Sequence, residues 1–354
     1  MAMWATILMI VIFPLNSFLV MQEIFSVGEQ TNFKSGSHSI QSEVRGVESS
    51  KSKEPKKTKA QAVDYPEYQP TRKDGIKDLV VPGAHASVVI DADTGIVLHD
   101  NNGKQQRQIA SLTKIMTALL VVEKVKNLDE EVVIDEEAIY ADGTKIGCPR
   151  SGFCNGQRLM VGEKISVKNL LEAALLNSAN DAAIALGKHI SGSQDAFAEL
   201  MNKRAKELGL VDSHFCTPSG LEPDGRESEC YSSAYDIAKI TAYSLRYNEI
   251  WKIFNFSQDN PISICSTDGK TEHDILNTVL NIVQIPNALG CKTGFTPLAG
   301  RSLLAVVSDS TKKHRVVAVV LDDNTRWQDV KNMTSWAFDS YVWNHINKSE
   351  VSKL

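Results

Sequence analysis

Apolar residues fall in two rhythms along this chain. Ala86-Ser87-Val88-Val89-Ile90-Asp91 is a short, nearly continuous run and reads as a strand. Asp93-Thr94-Gly95 supplies a turn, and Ile96-Val97-Leu98-His99 returns as the hairpin partner. The spacing then changes to three and four. A helix opens at Ser111, with Leu112, Ile115, Met116, Leu119, Leu120 and Val122 expected to bury most of its girth. Residues 167–176, 181–189 and 194–208 read as three successive helices, punctuated by Gly192-Ser193 and Gly209. Residues 233–246 form another, with Ser233 near its N-cap. The strand rhythm resumes in the β-branched runs 289–292, 302–308 and 316–321. A final amphipathic helix is predicted over 329–343, its stripe made by Val330, Met333, Trp336, Ala337 and Tyr341. Strands at both ends with helices between predict an α+β fold: one antiparallel sheet flanked by helices, plus an all-helical lobe. There is no internal repeat.

Ahead of this region the pattern is different. Residues 1–22 carry no charge, and Trp4 to Phe13 are strongly apolar, which reads as an export signal or an uncleaved anchor over 1–28. No lysine or arginine precedes the apolar core. Residues 29–78 are polar and poor in large apolar side chains, so they read as a disordered linker. The folded domain is expected over 79–345, with order beginning near Ala84 and a polar tail over 346–354. An exported protein, with membrane association through its N-terminus, follows from this layout.

Composition narrows the classes further. Apolar residues make up 42% and charged residues 23%, as in a folded soluble domain, and the net charge of -5 gives no nucleic-acid footprint. The basic stretch from Lys51 to Lys59 fits a solvated linker or attachment to an anionic polymer or lipid. The six cysteines form no CxxC pair, and the histidines lack zinc-ligand spacing, so neither a metal nor another cofactor is expected. Cys148 with Cys154, and Cys216 with Cys230, bracket loops that a disulfide would close; burial as free thiols is the alternative, with Cys291 foremost.

Three short motifs carry the chemistry. In Ser111-Leu112-Thr113-Lys114 the hydroxyl and the amine sit three apart, on one face of a helix. At a helix start the positive dipole favours an oxyanion and lowers an ammonium pKa, so Lys114 could act as base for Ser111. In Ser178-Ala179-Asn180, Ser178 could relay a proton and Asn180 could hold a carbonyl; helix capping is the plain alternative. In Lys292-Thr293-Gly294, at a strand end, alternation sets Lys292 and Thr293 on opposite faces. A ligand along the strand edge could meet positive charge, a hydroxyl and, at Gly294, room for close approach. Each motif alone is commonplace. Together, and in this order, they supply nucleophile, base, relay and cationic edge.

The ordered set resembles the low-molecular-mass penicillin-binding proteins, the serine-type D-alanyl-D-alanine carboxypeptidases of the β-lactamase-like transpeptidase superfamily. Ile109 to Thr117, Asn177 to Ala183, Pro218 to Leu221, Ser232 to Asp236 and Lys292 to Thr296 are similar to the family's segments, over roughly residues 84–340. The resemblance implies Ser111 as nucleophile, Lys114 as its base and Ser178 as the third catalytic residue. It implies substrate binding by Asn180, Lys292, Thr293, Gly294, Phe295 (through a backbone N–H of the oxyanion hole) and Arg326. It also implies peptidoglycan stem peptides ending in D-Ala-D-Ala as partners and β-lactams as acylating inhibitors. A D,D-endopeptidase is the near alternative; a β-lactamase or an inactive wall-binding scaffold stands further off. Glu222-Pro223-Asp224 reads as a surface turn. Many members carry a further β-rich domain and a C-terminal anchor; here anchoring is expected from the N-terminus.

Overall fold

The computed structural model describes residues 67–148, 154, 156–255 and 262–346, all within one compact unit over 62–354. The expected export segment, the basic stretch, residues 29–66 of the linker and residues 347–354 of the tail lie outside the described residues. In chain order the elements are β1 (Tyr68–Arg72), β2 (Ala84–Asp91), β3 (Val97–Asn101), α1 (Lys114–Lys124), β4 (Glu131–Val133), α2 (Glu136–Ile139) and β5 (Lys164–Ser166). There follow α3 (Val167–Glu172), α4 (Asn180–Ser191), α5 (Gln194–Glu207), α6 (Ala234–Ser244), α7 (Asn248–Lys252), β6 (Ile262–Cys265) and β7 (Glu272–Ile275). The chain closes with β8 (Ala288–Thr296), β9 (Gly300–Ser308), β10 (Arg315–Asp323), α8 (Arg326–Ser340) and β11 (Tyr341–His345).

A five-stranded antiparallel sheet, in the order β3-β2-β10-β9-β8, joins the two ends of the domain. Its inner strands carry unbroken apolar runs, with Val88 to Ile90, Leu303 to Val307 and Val316 to Leu321 all buried. Runs without polar alternation need cover on both faces, and α6 and α8 pack against the sheet. The predicted α+β layering is therefore present, with β8 left as an edge strand. Helix α1 packs against α4, α5, α6 and α7 at the centre of the helical lobe. Leu112, Ile115, Met116, Leu119, Leu120 and Val121 are all buried there. Each such side chain contributes roughly 1.5–3 kcal/mol by leaving water. Val121 takes the core place expected of Val122, which is half-buried.

Three expectations are corrected. Order does not begin near Ala84: β1, inside the expected linker, pairs antiparallel with β11, from Tyr68 opposite His345 to Arg72 opposite Tyr341. The last helix ends at Ser340, and Tyr341-Val342-Trp343 continue as that strand, since β-branched and aromatic residues suit a pleated edge. The helix expected over 167–176 is α3 followed by a π-helical turn, Ala173–Asn177. Both bracketed cysteine pairs are disulfides, Cys148–Cys154 and Cys216–Cys230, while Cys291 is a buried free thiol and Cys265 an exposed one.

Candidate active site

The nucleophile motif begins on a strained turn. Ala110 has a φ of 48°, a left-handed conformation costly for a residue with a Cβ, and opens a short 3₁₀ turn over Ala110–Thr113 that runs into α1. The expected helix start is thus a tighter turn, with Ser111 on it and Lys114 at the first position of the α-helix proper. Lys114 is buried and its Nζ donates to Ser111 Oγ at 2.8 Å, Asn180 Oδ1 at 2.7 Å and the Ser219 carbonyl at 2.7 Å.

The choice of partners has a chemical consequence. An ammonium has three N–H groups, whereas a neutral amine has two and a lone pair. Asn180 Oδ1 and the Ser219 carbonyl can only accept, so in the neutral form they take both N–H groups. The lone pair then faces Ser111, whose hydroxyl alone can donate to it. Burial pushes the Lys114 pKa well below its usual value, the Lys292 charge pushes it further, and the Asp181 charge opposes them.

The second motif owes its position to the π turn. A widened turn frees carbonyls from the helical ladder. The Leu176 carbonyl accepts from both Thr278 N–H (2.9 Å) and Thr278 Oγ1 (2.8 Å). Ser178 follows with a φ of 59°. Neither Ser178 nor Asn180 is the N-cap of α4: Ala179 holds that place and makes no side-chain cap bond, while Ser178 closes the π turn as its C-cap. Asn180 instead donates from Nδ2 to the Asp142 carbonyl at 2.7 Å while its Oδ1 accepts from Lys114. Thr144 completes the support, donating to the Ser178 carbonyl at 2.7 Å and accepting from the Asn180 N–H at 2.8 Å. Asp181, fully buried, accepts from the Ile146 N–H and so ties the 142–148 segment to α4; burial raises its carboxyl to about 6.

The third motif lies on edge strand β8, and alternation holds. Thr293 lines the cleft, while Lys292 is buried behind it. Lys292 Nζ donates to Ser178 Oγ at 2.8 Å and to the Thr293 carbonyl at 3.0 Å. Lys292, expected at a ligand-binding edge, is thus not among the residues that line the cleft, and its ammonium contacts Ser178. Burial lowers Lys292 to about 7, and Arg326 adds to this. The space at Gly294 also serves another purpose than expected. A Cβ there would lie 2.8 Å from the Ile109 carbonyl, so glycine lets the strand edge close on the nucleophile turn itself.

Ser111, Ser178, Asn180, Thr293, Gly294, Phe295 and Arg326 all line one cleft of about 360 Å³. Phe295 is 61% exposed at its rim. Arg326, at the start of α8, is half-buried and is held by the carbonyls of Gly294 (3.1 Å) and Ser302 (3.2 Å). Residues that carried no role in the sequence also belong here: Ser219 through its carbonyl, Thr144, Asp142, Thr278 and Asp181. Glu222 is no bare surface turn, since its Oε1 accepts from Thr296 Oγ1 at 2.8 Å beside the third motif. Backbone contacts of this kind leave no signature in side-chain type. Among the described residues, no group of three or more His, Cys, Asp or Glu is arranged to hold a metal ion.

Comparison with known proteins follows the same lines. Residues 80–325 match the model of the Peptidase S11 family, described as D-alanyl-D-alanine carboxypeptidase. The chain is 36% identical over 275 residues to the D-alanyl-D-alanine carboxypeptidase DacF of Bacillus subtilis, covering 75% of this chain and 64% of that relative's length. It is 28% identical over 266 residues to the D-alanyl-D-alanine endopeptidase of Escherichia coli, covering 71% of this chain and 76% of that one. Among solved structures, penicillin binding protein 5 of Haemophilus influenzae superposes with a TM-score of 0.63 at 30% identity, over 75% of this chain and 73% of that one. The fold is that of the penicillin-binding proteins, and the chain belongs to the D-alanyl-D-alanine carboxypeptidase family, Peptidase S11.

Proposed function

We propose that this protein is a serine-type D-alanyl-D-alanine carboxypeptidase that removes the terminal D-alanine of peptidoglycan stem peptides. The observation that carries the reading is the Lys114 amine, buried 2.8 Å from Ser111 Oγ with its other two partners pure acceptors. Neutral Lys114 takes the Ser111 proton as Oγ attacks the carbonyl carbon of the terminal peptide bond. Backbone N–H groups at Ser111 and Phe295 serve the resulting oxyanion. As the C–N bond breaks, the proton passes to the departing amine. Ser178 suits that relay: its oxygen accepts from Lys292, which leaves its own O–H to donate elsewhere. D-Alanine leaves, water attacks the Ser111 ester, and the acid and the hydroxyl are regenerated.

Asn180 and Thr293 hold the peptide along the cleft, with Gly294 and Phe295 forming its strand-side wall. Lys292 serves substrate through Ser178. Arg326 offers a fixed guanidinium to the substrate's free carboxylate. A free carboxylate favours the exopeptidase reaction. The endopeptidase relative supports a second reading, cleavage of crosslinks, where the same acyl-enzyme forms on an internal bond. β-Lactams are expected to acylate Ser111. The substrate class implies an extracytoplasmic location, with export and membrane association through the N-terminal segment. Among the described residues no helix is long and apolar enough to cross a membrane.

The test is direct. Labelled penicillin should mark the wild type and not Ser111→Ala, and D-alanine should be released from a peptide ending in D-Ala-D-Ala. Conversion of crosslinked dimers to monomers, with no D-alanine freed from the linear peptide, would favour the second reading. Absence of label on the wild type would overturn both.

A further inference from the structure

The segment from Cys216 to Cys230 is a disulfide-closed loop whose first limb, Thr217 to Leu221, reaches the active site. Its ends are 5.5 Å apart at Cα, joined by the disulfide. The base is reinforced by paired backbone bonds between His214 and Tyr231, at 2.7 and 2.9 Å. On that limb, the Pro218 carbonyl accepts from Thr117 Oγ1 at 2.6 Å and the Ser219 carbonyl from Lys114 Nζ at 2.7 Å. On the outward side Glu222 reaches Thr296 on β8. Cys216, Pro218 and Ser219 are buried, whereas from Glu222 to Cys230 the returning limb is exposed or half-exposed, so apolar burial does little to hold that limb. A loop short of buried contacts samples many conformations unless its ends are tied.

We propose that the Cys216–Cys230 disulfide and Glu222 are positioning residues for the acyl-transfer reaction, holding the Ser219 carbonyl on Lys114 from the two sides of the limb that carries it. The disulfide ties down the start of that limb at Cys216, and Glu222 anchors its end to the strand that carries the third motif. With both in place, Lys114 keeps two acceptor partners, and its lone pair is left for Ser111. This inference rests on the acyl-enzyme reading above. Three charged groups bear on the outcome: Lys114 itself, Lys292 facing it from β8 and Asp181 from α4.

The experiment compares wild type, Cys216→Ser/Cys230→Ser and Glu222→Ala in the rate of acylation by a fluorescent penicillin, as a function of pH. Cys265→Ser, which removes only the exposed free thiol, is the control and should match wild type. The double variant should melt cooperatively and acylate at least about tenfold more slowly. Its acid limb should move to higher pH, because a loosened loop readmits water to an amine whose lowering comes first from burial. An unchanged rate, or a uniform fall with the acid limb unmoved, overturns the proposal. Should the double variant not fold, Glu222→Ala decides the matter with both cysteines intact: a slower rate with the acid limb moved to higher pH supports the proposal, and an unchanged rate or an unmoved acid limb overturns it. Failure of wild type to acylate at all would instead strike the functional reading.

Discussion

Gly220→Ala isolates the contact between the connecting loop and the nucleophile turn. Gly220 has a φ of +83°, and a Cβ built on it would lie 2.1 Å from the Ala110 carbonyl oxygen and 2.7 Å from Ala110 C. Two costs follow. The left-handed conformation costs alanine roughly 1–2 kcal/mol. Gly95→Ala incurs that cost alone, with φ +73° and nothing within 4 Å of its Cβ. At roughly 2–4 °C per kcal/mol for a domain of this size, Gly95→Ala should lower Tm by about 2–8 °C and leave acylation unaltered. Gly220→Ala carries a steric cost as well. Real Cβ contacts essentially never fall under 3.0 Å, so the two segments must separate by roughly 1 Å. Both are backbone, and no side chain can swing aside. The atom struck belongs to the peptide bond that leads into Ser111, so the displacement is transmitted to the nucleophile. A misplacement of that size costs on the order of 100-fold in rate, or about 2.7 kcal/mol of barrier. Stopped-flow acylation by a fluorescent penicillin, alongside thermal melts, reads both quantities. A Gly220→Ala protein that acylates within about threefold of wild type and melts with Gly95→Ala would refute the reasoning.

Other outcomes follow from the buried charges. Lys292→Met should raise Tm while abolishing acylation, because burial lowers the lysine to about 7 in the fold, so its stability contribution falls as pH drops toward that value; a lower Tm at pH 6 would contradict this. Asp181 has its folded pKa raised to about 6, so its contribution is present below pH 4 and is lost as pH rises to 6. Asp181→Asn should therefore gain Tm over wild type from pH 4 to pH 7, by an amount on the order of 3 kcal/mol at most; parallel melting curves across that range would sink the argument. Acylation should rise with pH through the lowered Lys114 pKa, since only the neutral amine accepts the Ser111 proton, and a rate that instead climbs as the solution is made more acidic would count against Lys114 as base.

The sequence by itself determined a good deal. The apolar runs at both ends of the domain specified strands covered on both faces, and these are β2, β9 and β10. The three-and-four spacing after Ser111 specified α1, and a spacing of three put Ser111 beside Lys114. Such features are local, because period and chain geometry alone decide them. The order of the three motifs supported their convergence: Ser111, Ser178, Asn180, Thr293 and Gly294 meet at one cleft together with Arg326, and the two lysines, Lys114 and Lys292, are buried behind it. Short strands were less legible. Each of β1, β4, β5, β6 and β7 has five residues or fewer, and each is stable only against a partner. The pairing of β1 with β11 joins segments some 270 residues apart, and neither pattern points to the other.

What only the tertiary structure decided is the chemistry of the two lysines. Their types and spacing are in the sequence, but burial, the Ser219 carbonyl and the Lys114–Asn180 bond are not. The same holds for the π turn that directs Ser178, and for the glycines at 220 and 294, whose need for space is set by the Ala110 and Ile109 carbonyls from distant parts of the chain. A pKa is set by surroundings, and these are assembled from five segments that only folding brings together.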